Sequence, residues 1–317
     1  QEQVDDAITW IADELADLVR RGRLAEGKAR FLGSAVMGGT EWEVFAGCDL
    51  VLEAVFEEMA IKKDVFAALE RVVSPECVLA TNTSSLSVTE MSAGLEHPER
   101  VVGMHFFNPV AVLPLVELAR TPSTDDASLA TVWAVTKKLR KTGVPVRDAP
   151  AFVVNRLLGR QGSVIMQALD HGNTVEETDE AVLRMGLPMA PSVLLQLVGP
   201  KVANHVRHTL HDAWPNRFPL SATLESLAEG GGDPVVVEHA PRSVEELHTA
   251  VLEALADESR HILEEGVVAE AADIDTCLLL GAGFPFWLGG ITKHLDQTGV
   301  SQRVVGRPLA ELSSTAS

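Results

Sequence analysis

The stretch from Val101 to Arg120, VVGMHFFNPVAVLPLVELAR, sets His105 between two apolar runs and places Glu117 twelve residues behind it. Val101 to Met104 has the composition of a short buried strand, Leu113 to Leu118 that of another, and Asn108-Pro109 breaks the chain between them. Adjacent strands would hold His105 and Glu117 side by side. A carboxylate that fixes one ring nitrogen of an imidazole leaves the other free to take a proton, which is general-base chemistry. The same letters also suit a hydrogen-bonded core histidine beside an edge-strand glutamate. The rest of the chain has to decide between the two.

Working outward, Val78-Leu79-Ala80-Thr81 and Cys48 to Val55 are nearly continuous in apolar character, as strands covered on both faces are. The first runs into Asn82-Thr83-Ser84-Ser85, and hydroxyl residues at the carboxyl end of a parallel strand stand where doubly wound sheets bind ligands. Ile61, Val65, Phe66 and Leu69 predict a helix over Glu57–Val72, and a further helix over Leu129–Leu139 precedes a strand at Gly143–Val146. Lys137, Lys138, Arg140 and Lys141 close that helix, where cations favour its dipole. Val4, Ile8, Ile11, Leu15, Leu18 and Val19 predict an amphipathic helix from Val4 to Arg21. The basic cluster of Arg20, Arg21, Arg23, Lys28 and Arg30 is either a solvated helix end or a clamp for a phosphate-bearing ligand. Strand and helix alternate throughout, so this part is α/β with a largely parallel sheet.

After Pro150 the pattern turns all-α, with helices predicted from Phe152, over Thr174–Met185, Ser192–Leu197 and Lys201–Ala213, and again after Ser243, which Glu245 and Glu246 follow as in a helix cap. His205, His208 and His211 recur every third residue; an exposed polar face is the reading adopted, and no metal site is expected. Gly230-Gly231-Gly232-Asp233-Pro234 is a linker signal. Gly172, Asp179 and Gly186-Leu187-Pro188 are echoed by Gly266, Asp273 and Gly283-Phe284-Pro285, which points to a duplicated helical domain. The expected units are 1–149, 150–229, a linker at 230–242, 243–312 and a tail at 313–317.

A net charge of −19 excludes a polyanion such as nucleic acid as the partner. No window reaches the roughly eighteen uninterrupted apolar residues of a membrane helix, and a cytoplasmic protein is expected. Cys48, Cys77 and Cys277 are odd in number and far apart, as reduced thiols are.

Glu53-Ala54-Val55-Phe56-Glu57 with Lys62, Asn82-Thr83-Ser84-Ser85, His105-Phe106-Phe107-Asn108-Pro109, Glu117 and Phe152-Val153-Val154-Asn155-Arg156 together resemble the 3-hydroxyacyl-CoA dehydrogenases. Gly281 to Gly290, GAGFPFWLGG, is similar to the second helical repeat of the multifunctional fatty-acid oxidation α subunits. The resemblance implies an incomplete Rossmann-type domain followed by two helical domains, NAD as cofactor, oxidation of 3-hydroxyacyl-CoA in β-oxidation, and a thiolase β subunit as partner. It implies His105 as the base, Glu117 as its orienting acid, and Ser84 and Asn155 as groups that hydrogen-bond the substrate. Val55, Phe56, Glu57, Lys62, Ser84 and Asn108 would face the dinucleotide. Arg20, Arg21 and Arg23 are assigned to the CoA phosphates on charge grounds.

The family's opening strand, its G-x-G-x-x-G turn and the acidic residue that follows are absent, and no basic G-x-G-F segment appears near Leu227 to Pro234. Gln1 is expected to open inside a helix of a longer parent protein, and this chain alone to bind NAD weakly or not at all. The alternatives are a stand-alone 3-hydroxybutyryl-CoA dehydrogenase and a non-catalytic, crystallin-like or NAD-binding relative.

Overall fold

The computed structural model describes residues 1–312, so the expected tail at 313–317 lies outside the described residues. Two helices, α1 (Glu2–Arg20) and α2 (Glu26–Ser34), open the chain and pack on each other. There follow β1 (Leu50–Glu53), α3 (Met59–Glu70), β2 (Val78–Thr81), α4 (Val88–Ser92), β3 (Val101–Phe106), β4 (Leu115–Arg120), α5 (Asp126–Lys138) and β5 (Thr142–Arg147). The strands form one sheet in the order β1-β2-β3-β4-β5, parallel throughout except between β3 and β4. That exception follows from loop length. Only residues 107–114 join β3 to β4, and a parallel return needs a crossover of about a dozen residues or more. The strand expected from Leu113 starts at Leu115, since Pro114 has no N–H to give a ladder.

Alternation along the strands sorts side chains between two faces. Val102, Met104, Val116 and Leu118 meet α5 through Leu129, Val132 and Trp133. Val101, Phe107, Leu115 and Ala119 face the other way, into the core shared with the helical region. His105 and Glu117 fall on this second face by the same period of two, so the helical region closes over them.

That region comprises α6 (Val154–Asp170), α7 (Val175–Leu183), α8 (Pro191–Val198), α9 (Pro200–Ala213), α10 (Ala222–Ala228), α11 (Val244–Glu264), α12 (Ala271–Gly281), α13 (Ile291–Gln297) and α14 (Val300–Val304). Capping boxes start α7 (Thr174 with Glu177) and α12 (Glu270 with Asp273). Asp179 accepts from the backbone N–H and hydroxyl of Ser192 at 3.0 and 2.5 Å, and Asp275 accepts the same pair from Thr292 at 2.7 and 2.8 Å. By role, Asp179 therefore corresponds to Asp275 and not to Asp273, as equal spacing from the glycines suggests. Gly172 lies two residues before its N-cap and Gly266 four before its own, which shifts the register. The two loops also touch: a Cβ on Gly186 would lie 3.2 Å from Trp287 and 3.4 Å from Pro285. The linker expected at 230–242 carries no helix or strand, yet it is pinned to the first helical block. Val235 N–H donates to Thr223 Oγ1 and Val237 N–H to the Asp170 carbonyl, at 3.0 and 2.8 Å. No helix among the described residues is long and apolar enough to cross a membrane.

Candidate active site

His105 and Glu117 are direct partners in the β3–β4 ladder, which puts both side chains on one face. His105 Nδ1–H donates to Glu117 Oε2 at 2.7 Å. A carboxylate oxygen only accepts, so this bond fixes the tautomer and leaves Nε2 as the basic nitrogen. The other oxygen, Oε1, accepts the N–H groups of Val153 and Val154 at 3.1 and 3.0 Å. Two consecutive amides reach one atom because Ala151 and Phe152 just before them adopt φ of 60° and 49°. Left-handed backbone without glycine costs about 1–3 kcal/mol and persists only where its surroundings hold it. The rings of Phe107 and Phe152 flank the imidazole, with centroids 4.4 and 5.7 Å away. From the second helical block, Gly281 packs closely here: a Cβ there would lie 2.6 Å from Leu115 and 3.1 Å from Val154. Cys277, also on α12, is buried; burial pushes its thiol up, and the Glu117 charge adds to this.

The second group of predicted residues lies at the carboxyl ends of β1 and β2. Asn155 Nδ2 donates to the Ser84 carbonyl at 3.2 Å, bridging α6 to the loop after β2. These contacts do not use the Ser84 hydroxyl. Glu57 Oε1 accepts from Thr83 Oγ1, Ser84 N–H and Ser85 N–H at 2.7, 2.7 and 3.1 Å. Burial pulls the Glu57 carboxyl upward, but the Thr83 hydroxyl, the two amides and the Lys62 charge together hold it below the ordinary value. Lys62 is itself enclosed: its Nζ lies 2.8 Å from Glu53 Oε1 and 3.3 Å from Glu57 Oε2. Glu53 also accepts from Thr81 Oγ1 at 2.7 Å and Val55 N–H at 2.6 Å. Any effect of Lys62 on a ligand would therefore pass through Glu57 and this loop. Val55, Phe56 and Asn108 are exposed, Phe56 to 79%.

Sequence reasoning missed Glu53, Thr83 and the Val153 and Val154 amides. For Glu53 a signal exists, because an acid closing an apolar strand must find a partner once buried; a backbone amide carries no letter. Arg20 and Arg21 both turn onto Asp17, at 2.8 and 2.6 Å, and stand well exposed with Arg23 at the end of α1. None of them enters the hydrogen bonds of the His105 group. His208 meets Glu225 and His211 meets the Phe218 carbonyl. Among the described residues no cluster of histidine, cysteine, aspartate and glutamate is arranged to hold a metal ion.

Residues 1–149 match the NAD binding domain of the 3-hydroxyacyl-CoA dehydrogenases and residues 152–232 match their C-terminal domain. The chain belongs to the 3-hydroxyacyl-CoA dehydrogenase family. It is 31% identical to a fatty acid oxidation complex subunit alpha of Pseudomonas putida, over 96% of this chain and 47% of the relative. The chain thus spans about half the length of the curated relatives it matches. The (S)-3-hydroxybutyryl-CoA dehydrogenase PaaH1 of Ralstonia eutropha is similar in structure, with a TM-score of 0.69 at 30% identity over 75% of this chain and 87% of that one. A 3-hydroxybutyryl-CoA dehydrogenase of Escherichia coli shares the fold over 98% of this chain and 89% of its own, with a TM-score of 0.80 at 23% identity.

The residues of this family member fit one end of NAD. Exposed Val55 and Phe56, at the open carboxyl end of β1, offer an apolar face to a flat ring, where doubly wound sheets bind nucleotides. For the pyrophosphate, the 317 residues contain no G-x-G-x-x-G turn to present backbone N–H groups.

Proposed function

We propose that the chain carries NAD-dependent oxidation of (S)-3-hydroxyacyl-CoA to 3-oxoacyl-CoA within a fatty-acid oxidation α subunit. The buried His105–Glu117 pair supports this reading most, because it holds a single basic nitrogen in a fixed tautomer. His105 Nε2 takes the 3-hydroxyl proton as the bond from C3 to its hydrogen breaks. Glu117 holds the ring and offsets the charge it gains. The Ser84 hydroxyl and the Asn155 amide hydrogen-bond the substrate oxygen, which fixes C3 relative to the base. Bound NAD would supply the hydride acceptor. Arg20, Arg21 and Arg23 take the CoA phosphates in this reading, with Arg20 and Arg21 exchanging Asp17 for the ligand.

A stand-alone 3-hydroxybutyryl-CoA dehydrogenase is the second reading. The duplicated helical region does not exclude it, since the E. coli protein of that name shares the fold over nearly this whole chain. Association with a thiolase β subunit belongs to the first reading, and a cytoplasmic setting accords with three free cysteines. The test is NADH absorbance with 3-hydroxyacyl-CoA in the full-length protein, with and without His105→Ala. Loss of a general base lowers turnover by about 10²–10⁴-fold. A variant within about tenfold of wild type would remove His105 from that role, and a wild type without turnover would favour the non-catalytic relative.

A further inference from the structure

One buried charge network remains outside the chemistry above. Arg156 and Glu258 are both fully buried, Arg156 on the first turn of α6 and Glu258 on α11. Arg156 Nε donates to Glu258 Oε1 at 2.5 Å, and its Nη1 to Glu265 Oε2 at 2.7 Å. Arg217 reaches the same two acids at 3.0 and 3.4 Å. The Trp214 ring lies against both guanidinium groups, 4.1 Å from Arg156 and 4.3 Å from Arg217. Burying a charge is costly unless it is paired closely; this box pairs two arginines with two glutamates, while Arg156 Nη2 and Glu258 Oε2 are buried without a partner among the described residues.

Its place in the chain gives it a second consequence. Arg156 follows Asn155, which meets Ser84, and Val153 and Val154, whose amides meet Glu117. Its own N–H donates back to the Ala151 carbonyl at 3.2 Å, closing the left-handed turn from inside. A turn of that conformation does not hold itself. The side chain of Arg156 is tied to α11 while its backbone ties the turn.

We infer that Glu258, on the second helical block, is a positioning residue for the dehydrogenase site: through Arg156 it fixes the turn whose amides hold Glu117, and Glu117 holds His105. The inference deepens the proposed function and rests on it for the catalytic consequence. The structural consequence stands alone. The second helical block is then part of the active-site support as well as a packing partner.

The test uses Glu258→Gln in the full-length protein, which keeps size and shape and removes the charge. Amide hydrogen exchange at Val153 and Val154 should quicken by about tenfold or more relative to interior α6 amides such as Val164 and Ile165. Turnover should fall by about tenfold with the KM for NAD unchanged. In a His105→Ala background the same substitution should add no further loss, because both act through one group. Unchanged exchange at Val153 and Val154, or losses that multiply in the double variant, would overturn the inference. If Glu258→Gln does not fold, Glu265→Gln, which leaves the Arg156 Nε–Glu258 bond in place and weakens only the contacts of Arg156 Nη1 and Arg217 Nη2 to a side chain 28% exposed, should show the same pattern at a few-fold scale; its absence counts equally against the proposal. Should His105→Ala alone leave turnover intact, the dehydrogenase reading fails while the exchange data still judge the anchor.

Discussion

Glu117 holds three donors with two oxygens in a site closed to water, and each donor constrains what a replacement can do. Glutamine would keep an oxygen for the Val153 and Val154 amides but turn an NH₂ group toward His105 Nδ1. That nitrogen would then have to accept, the proton would move to Nε2, and the lone pair needed for the substrate would be lost. Glu117→Gln should therefore lower kcat by about 10²–10⁴-fold with little change in KM, while the urea midpoint shifts little. A kcat within about tenfold of wild type would mean the tautomer is not set here. The residue pair itself was readable in the sequence, because two apolar runs broken by Asn108-Pro109 read as adjacent strands; their antiparallel sense and register come from the structure. The amides that complete it were not. Ala151 and Phe152 carry no left-handed signature of the kind glycine or asparagine gives, and they adopt it because Glu117 and Arg156 hold the turn on both sides.

Among the elements, the two helical blocks show how one local device serves twice. Asp179 receives Ser192 and Asp275 receives Thr292, each aspartate tying its helix to the start of a later one. Spacing in the sequence pointed to a repeat, and the aspartate roles match in a different register from the one the glycines suggest, since glycine-to-cap distances differ while side-chain roles do not. The strand pattern was likewise readable from apolar runs, and one edge moved, from Leu113 to Leu115, where Pro114 could not pair. Asp275 adds a pH signature. Burial pushes its carboxyl above the ordinary value of 3.8, and the Asp296 charge adds to this against the Thr292 and Lys293 hydrogen bonds. A carboxyl raised on folding contributes stability that is full below that value and is lost as pH rises through the folded pKa. Asp275→Asn cannot titrate, so its deficit against wild type should shrink as pH rises. Urea titrations at about pH 4.5 and 7.5 should show a cost of about 1 kcal/mol at the lower value and less at the higher. A cost that grew with pH would reverse the assigned direction.

For the molecule as a whole, the proposed nucleotide site would be well supplied at one end and not at the other. The Ser84 loop, Glu57 and Asn155 are mutually braced, and Phe56 and Val55 present open apolar surface beside them. A dinucleotide also brings two phosphates, which bind where several backbone N–H groups converge, and the glycine-rich turn that commonly supplies them is missing from these residues. The overall charge of −19 opposes an anion at long range and leaves nothing general to replace that turn. The start of the chain adds little shelter: neither α1 nor α2 has a buried residue, and Trp10 and Phe31 are 65% and 69% exposed. The 317-residue chain, produced as it stands, should therefore bind NAD with a Kd on the order of 1 mM or weaker, about 4 kcal/mol of binding. Titration calorimetry measures this directly, and the nicotinamide contacts can be isolated by repeating it with nicotinamide mononucleotide, which lacks the second phosphate and the adenosine of NAD. The two ligands should bind almost equally if the adenylate half of NAD, its phosphate included, gains nothing where the glycine-rich turn is missing. NAD binding at about 10 μM or tighter, with the mononucleotide much weaker, would show that other backbone groups of this chain converge on the pyrophosphate, and the division of the site into a built and an unbuilt end would be wrong.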